Sequence, residues 1–228
     1  MVASLGHPGS EVLAMQRLTQ VIGSNLRHPR GPMGRLTARL MRQGNASLNV
    51  WMVERLAVKP RDRVLEVGFG PGVVLAELLI RVPDGIVVGV DASELMVRQA
   101  RSRHAADITA GRLELRQGDA GSLSDSDESF DVVCGTHVIY FWPDPVATVR
   151  ELGRVLRPGG TLALAYQERD RMPGRAALGL SQAGARLFGP GEVENVVRAA
   201  GFVDIRTEFQ STPDGPAGFC VLAMASAG

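Results

Sequence analysis

Cysteine is scarce in this chain, with only Cys134 and Cys220 among 228 residues. Two thiols exclude a disulfide framework, and no Cys/His cluster stands at zinc-ligand spacing, so no metal site is expected. Both fall in apolar stretches and are expected as core thiols of a cytoplasmic protein. Charge of one sign is lacking too. The 25 Lys and Arg against 24 Asp and Glu leave a formal net charge of +1, too little to draw the chain to nucleic acid by bulk charge. No apolar run approaches the ~20 residues that a membrane span needs, and Met1 to Ser10 lacks a secretory apolar core. There is no internal repeat and no low-complexity tract. Glycine, by contrast, is plentiful: 27 glycines with 45% apolar residues suit one α/β core with many strand-to-helix turns.

Three of those glycines form the most informative run, Val64-Leu65-Glu66-Val67-Gly68-Phe69-Gly70-Pro71-Gly72. A β-branched and aliphatic strand ends in glycines at alternate positions, and Leu75, Leu78 and Leu79 follow at helical spacing. Glycine permits positive φ and lets backbone approach a ligand, while the helix start behind it offers unpaired N–H groups. A phosphate-binding P-loop is excluded because Val73-Val74 stands where Lys-Ser/Thr is needed. The dinucleotide pattern G-x-G-x-x-G fits poorly, since Gly72 gives G-x-G-x-G.

Further strands follow in order. Ile86 to Val90 ends at Asp91, with Ser93 as N-cap of a helix carrying Leu95, Met96 and Ala100. Leu113 to Leu115 leads to Gly118-Asp119-Ala120, and Phe130 to Cys134 makes a fourth strand. A turn at Arg157-Pro158-Gly159-Gly160 precedes a fifth, Leu162 to Tyr166. Glu66, Gly68, Gly70 and Gly72, followed by these acids and this turn, resemble the class I S-adenosylmethionine-dependent methyltransferases, in the small-molecule branch that includes ubiquinone-biosynthesis and natural-product tailoring enzymes. The resemblance implies a Rossmann-like seven-stranded mixed sheet of order 3-2-1-4-5-7-6, with helices on both faces and an N-terminal helical lid.

It also implies a cofactor, S-adenosylmethionine. Glu66, Gly68, Gly70 and Gly72 would line its methionine part, Asp91 and Ala92 its ribose, Met96 its adenine face, and Asp119 with Ala120 the adenine edge. Each has a plainer reading as well: Asp91 as a helix cap, Asp119 as a turn residue, Met96 as core. No Asn/Asp-Pro-Pro-Tyr/Phe/Trp tetrapeptide or Pro-Cys nucleophile follows the fourth strand, which disfavours methylation of adenine, glutamine or cytosine C5. Instead comes Thr136-His137-Val138-Ile139-Tyr140-Phe141-Trp142. His137 and Tyr140 are the catalytic candidates: His137 as proton acceptor or as a residue ordering the loop, Tyr140 with Phe141 and Trp142 as an aromatic platform or as packing. The expected activity is methyl transfer to oxygen, nitrogen or carbon of a small, anionic or aromatic acceptor. A catalytically silent cofactor-binding partner subunit and a methyltransferase-like cyclase remain alternatives.

The chain divides into an arm at 1–44 and a cofactor-binding domain at 45–228, with an insertion near 168–190 that reads as a lid. A helix from Asn45 to Leu56 leads into the first strand, and Val193 to Ala200, Ile205 to Phe209 and Phe219 to Met224 close the domain. Residues 12–53 contain no acid but six arginines: Arg17, Arg27, Arg30, Arg35, Arg39 and Arg42. Arg35, Arg39 and Arg42 share one face if helical.

Overall fold

A computed structural model describes residues 46–211 and 218–226; the arm expected at 1–44 lies outside them. The elements run α1 (Ala46–Arg55), β1 (Arg63–Val67), α2 (Val73–Arg81), β2 (Ile86–Asp91), α3 (Glu94–Arg103), α4 (Ala105–Thr109), β3 (Leu113–Gln117), β4 (Phe130–Thr136), α5 (Pro145–Val155), β5 (Leu156–Tyr166), α6 (Gly174–Gln182), α7 (Glu192–Ala199), β6 (Val203–Gln210) and β7 (Gly218–Met224). They build one seven-stranded sheet of order β3-β2-β1-β4-β5-β7-β6, in which only β7 runs antiparallel to its neighbours. This is the order and the mixed character expected from the sequence.

The central strands are apolar on both faces because helices cover both. Val64, Val87, Leu113 and Cys134 pack with Met52 of α1, Leu75 and Leu78 of α2, and Met96 and Ala100 of α3. On the other side Leu65, Val88, Val133, Leu162 and Leu164 pack with Val149 and Leu152 of α5 and Val193 and Val197 of α7. Strand alternation places Glu66 on the face shared with Val64, beneath α1 and α2. Cys134 and Cys220 are both free and buried.

Local chemistry sets the boundaries. Ser93 caps α3 by accepting from the Met96 N–H, and Asp144 caps α5 by accepting from Ala147 N–H at 3.0 Å, with Pro145 at the first turn. The Arg-Pro-Gly-Gly segment, expected as a turn before β5, lies inside the strand as an irregularity: Phe130 pairs with Leu156 but Val132 with Thr161. The 168–190 insertion contains a short 3-10 turn and α6, and Met172 and Phe188 anchor it in the core. Among the described residues no helix is long and apolar enough to cross a membrane, and no group of three or more His, Cys, Asp or Glu could hold a metal ion.

Candidate cofactor and acceptor site

Beyond the carboxyl ends of β1, β2 and β4 lies a cavity of about 180 Å³. A single water needs about 15 Å³ by this measure, so the space is an order of magnitude too large for a packing defect. It also lies where the strand order reverses, the usual ligand position in open α/β sheets.

The glycine loop forms one wall, and all three of its glycines have positive φ: Gly68 +65°, Gly70 +49° and Gly72 +75°. They differ in what surrounds them. A Cβ on Gly70 would have only the Gly68 carbonyl oxygen near it, at 4.0 Å, so it would project into the cavity. On Gly68 it would collide with Val138 Cγ1. Gly72 does not line the cavity; it sits in the left-handed conformation before α2, facing Leu75, His104 and Ala100. Of the three glycines expected at the cofactor, Gly68 and Gly70 line the cavity, and Gly72 turns the chain into the helix.

Asp91 holds this loop from the neighbouring strand. Its Oδ2 accepts from Gly70 N–H at 2.7 Å and its Oδ1 from Ser93 N–H at 2.8 Å. Burial raises the Asp91 carboxyl above its ordinary range, and those two amides work against the shift. Glu66 has no such help: it is 3% exposed, its Oε2 has no partner, and burial reinforced by the Asp91 charge pushes its carboxyl well above the usual range. Met96 is both core and wall, while Ala92 and Ala120 line the far end with Asp119, whose Oδ1 accepts from Gly121 N–H at 2.8 Å.

The opposite end is formed by Thr136, His137, Val138, Phe141, Trp142 and Pro143. His137 occupies left-handed backbone at φ +58° and donates its N–H to Ala165 O at 2.8 Å. By area the residue is half-buried, yet its Nε2 is shut from water without a partner, and burial lowers the imidazole to about 4. Of the two roles expected for Tyr140, acceptor platform or packing, its position matches packing. It is 1% exposed, does not line the cavity, and its hydroxyl is taken up by Gln167, accepting from the N–H at 2.6 Å and donating to the carbonyl at 3.0 Å. Of the three aromatics only Phe141 and Trp142 reach the wall. No residue of the 168–190 insertion lines it.

Asn49 of α1 was missed by the sequence reading. It lines the cavity, is 8% exposed, and its Oδ1 has no partner. The available signal was an amide on the apolar side of a helix, between Leu48 and Met52, where Asn is otherwise unfavourable. Six buried polar side-chain atoms lack partners among the described residues, and three of them, on Asn49, Glu66 and His137, belong to this one cavity. A buried orphan costs roughly 1–3 kcal/mol, so three around one cavity point to a missing polar ligand.

Comparison with known proteins gives a consistent result. A family described as "Methyltransferase domain" matches residues 64–160. An uncharacterized methyltransferase of Bacillus subtilis is 29% identical over 75% of this chain and 88% of its own length. The nocamycin O-methyltransferase of Saccharothrix syringae is 35% identical over 65% of this chain, which spans 62% of that protein. Among solved structures, an S-adenosylmethionine-dependent methyltransferase of Thermotoga maritima has a TM-score of 0.68 at 22% identity, covering 91% of this chain and 100% of that one.

Proposed function

We propose that the chain is a class I S-adenosylmethionine-dependent methyltransferase, in keeping with the family match over residues 64–160 and the Bacillus subtilis relative, and that it methylates a small-molecule biosynthetic or natural-product intermediate in the cytoplasm. One observation carries the reading: a partnerless buried carboxyl, Glu66, shares a cavity with a glycine backbone whose Cβ position is open. The residues fit the cofactor. Glu66 offers an acceptor to an α-ammonium group, Gly68 and Gly70 let backbone approach, Asp91 and Ala92 would take the ribose, and Met96, Asp119 and Ala120 would hold the adenine. When bound there the cofactor supplies an already activated sulfonium methyl group, so the chain's work is to orient the acceptor and exclude water.

The acceptor end is walled by Val138, Phe141, Trp142 and Pro143, which suits a flat or apolar body. The arginine-rich arm supports an acceptor that also carries a carboxylate or phosphate, which guanidinium forks bind well. The name of the Saccharothrix relative places O-methylation within reach of such domains. Calorimetry with S-adenosylmethionine, followed by detection of S-adenosylhomocysteine after incubation with extract of the producing cell, tests the proposal. Saturable binding and product formation are expected. Absence of binding would refute it.

A further inference from the structure

Three hydrogen bonds hold the glycine loop from within and from β2: Gly68 N–H donates to Val90 O at 2.7 Å, Gly70 N–H to Asp91 Oδ2 at 2.7 Å and Gly72 N–H to Phe69 O at 2.9 Å. None of these reaches the loop's other flank. There the loop meets the end of α3: Arg103, 32 residues further along the chain, donates from its guanidinium to the carbonyl oxygen of Pro71, which lines the cavity. His104 stands behind Gly72. A Cβ on that glycine would lie 3.4 Å from Leu75 Cδ1, 3.5 Å from His104 Nε2 and 3.8 Å from Ala100 Cβ. The His104 residue is 7% exposed and its Nε2 has no partner, so its part against Gly72 is to fill space.

The corner between α3 and α4 is itself tied down. His104 ends α3 by donating its N–H to Ala100 O at 2.9 Å and begins α4 by accepting from Ile108 N–H at 3.0 Å. Its Nδ1 lies 3.7 Å from Asp107 Oδ2, and Asp107 pairs with Arg112, which donates to Leu79 O in the last turn of α2 at 3.4 Å. The corner therefore touches both ends of α2. Along α3, Met96, Ala100 and His104 stand at i, i+4 and i+8, which is one face. Met96 lines the cavity while Ala100 and His104 face Gly72, so one stripe of one helix joins the cavity wall to the loop.

We infer that the end of α3 is a brace for the cofactor loop: Arg103 and His104 are positioning residues that hold Pro71 and Gly72 in the binding-competent shape, acting through the loop rather than on the cofactor. The inference rests on the cofactor site proposed above. A loop with three glycines needs such a brace, because glycine loses more conformational freedom on ordering than any other residue. A loop ordered in advance leaves more of the contact energy for affinity. Without the brace the loop is competent for only part of the time, and the apparent affinity falls by that fraction.

The test compares two arginines of one helix in the full chain. Arg101 also donates to a backbone carbonyl, Leu115 O of β3 at 2.9 Å, which is no part of the loop. Arg103→Met and Arg101→Met each remove one such bond and keep an apolar stem, so their melting temperatures should agree to within about 2 °C. Only Arg103→Met should weaken S-adenosylhomocysteine in calorimetry, by about three- to tenfold, the equivalent of one hydrogen bond. Arg103→Lys keeps a donor and should recover most of that loss. The probe 5′-methylthioadenosine shares the nucleoside but lacks the amino-acid part; Arg103→Met should weaken it by the same factor, because Gly70 N–H ties the loop to Asp91. With 15N-glycine labelling, amide exchange at Gly70 and Gly72 should quicken at least about threefold in Arg103→Met and keep the parental rate in Arg101→Met. His104→Ala should weaken both ligands, and His104→Leu, which refills the space, should not. Parental affinity in Arg103→Met or in His104→Ala overturns the inference. So does a loss confined to S-adenosylhomocysteine, which would put the guanidinium on the cofactor's carboxylate, or an equal loss in Arg101→Met, which would mark general loosening of the fold. Failure of S-adenosylhomocysteine to bind the parent marks the failure of the underlying cofactor-site reading instead.

Discussion

Alanine at Gly68 and at Gly70 should separate stability from ligand binding, although the two glycines are one residue apart and share positive φ. An L-residue in left-handed backbone costs about 1–2 kcal/mol, and both variants carry that strain. At Gly70 the added methyl meets nothing but open cavity. The strain alone lowers the melting temperature by about 2–8 °C at 2–4 °C per kcal/mol for a chain of this size. At Gly68 the methyl collides with Val138 Cγ1. Overpacking of that kind adds about 1–3 kcal/mol, for a total near 2–5 kcal/mol and a drop of about 4–20 °C. Val138→Ala removes the colliding atom, so the Gly68→Ala/Val138→Ala pair should be more stable than the sum of the single changes predicts, by about the overpacking term. Cofactor affinity should rank the other way: Gly70→Ala keeps most of its stability but loses S-adenosylmethionine, because its methyl takes ligand space. Differential scanning calorimetry and isothermal titration on the same preparations provide both numbers. If Gly70→Ala binds the cofactor as the parent does, this loop is not the binding wall and the site assignment is wrong.

Three further outcomes are expected. Glu66 is an acid raised in the folded state by burial, so its contribution to folding stability should be greatest at low pH and fall as pH rises from the ordinary carboxylate range toward the raised value. Glu66→Gln should flatten that slope in urea unfolding between about pH 5 and 8, and parallel curves for parent and variant would refute the assignment. Asp91→Ala removes the acceptor of the Gly70 and Ser93 amides, and should weaken S-adenosylmethionine by about 10- to 150-fold, the equivalent of one charge-assisted bond at about 1.5–3 kcal/mol; unchanged calorimetric affinity would count against it. Arg35→Ala and Arg39→Ala should raise the acceptor's KM, more so at low salt, with cofactor affinity untouched, and parental kinetics would leave the arm without a role in recognition.

Much of this architecture was legible in the sequence because it depends on signals confined to a few neighbouring residues. Glu66 to Gly72 marks the end of a buried strand, Ser93 marks a helix start through its own side chain, and Asp91 and Asp119 stand directly after strands. Sheet order followed from the resemblance that these signals carried together. Eight of the nine expected cofactor residues line one cavity. Gly72 is the exception, since G-x-G-x-G spacing does not tell a glycine that makes room for a ligand from one that only turns the chain. The strand irregularity at Arg157 to Gly160 was read as a turn because proline and glycine look alike in both settings.

What stayed hidden depends on contacts between distant segments. For Tyr140 the sequence leaves acceptor platform and packing open, because an aromatic run after β4 can face either way; the Gln167 backbone, 27 residues on, takes its hydroxyl inward, 3.3 Å from His137 Nδ1. Asn49 shows the same limit from the other side. Within α1 it is an amide among apolar residues, locally unfavourable and without evident purpose. Its setting emerges only when the fold brings it to the same cavity as His137, where Asn49 Oδ1 and His137 Nε2 both lack partners. In a fold where the cofactor brings its own activated carbon, specificity falls to such isolated acceptors, contributed by elements that no compact motif spans.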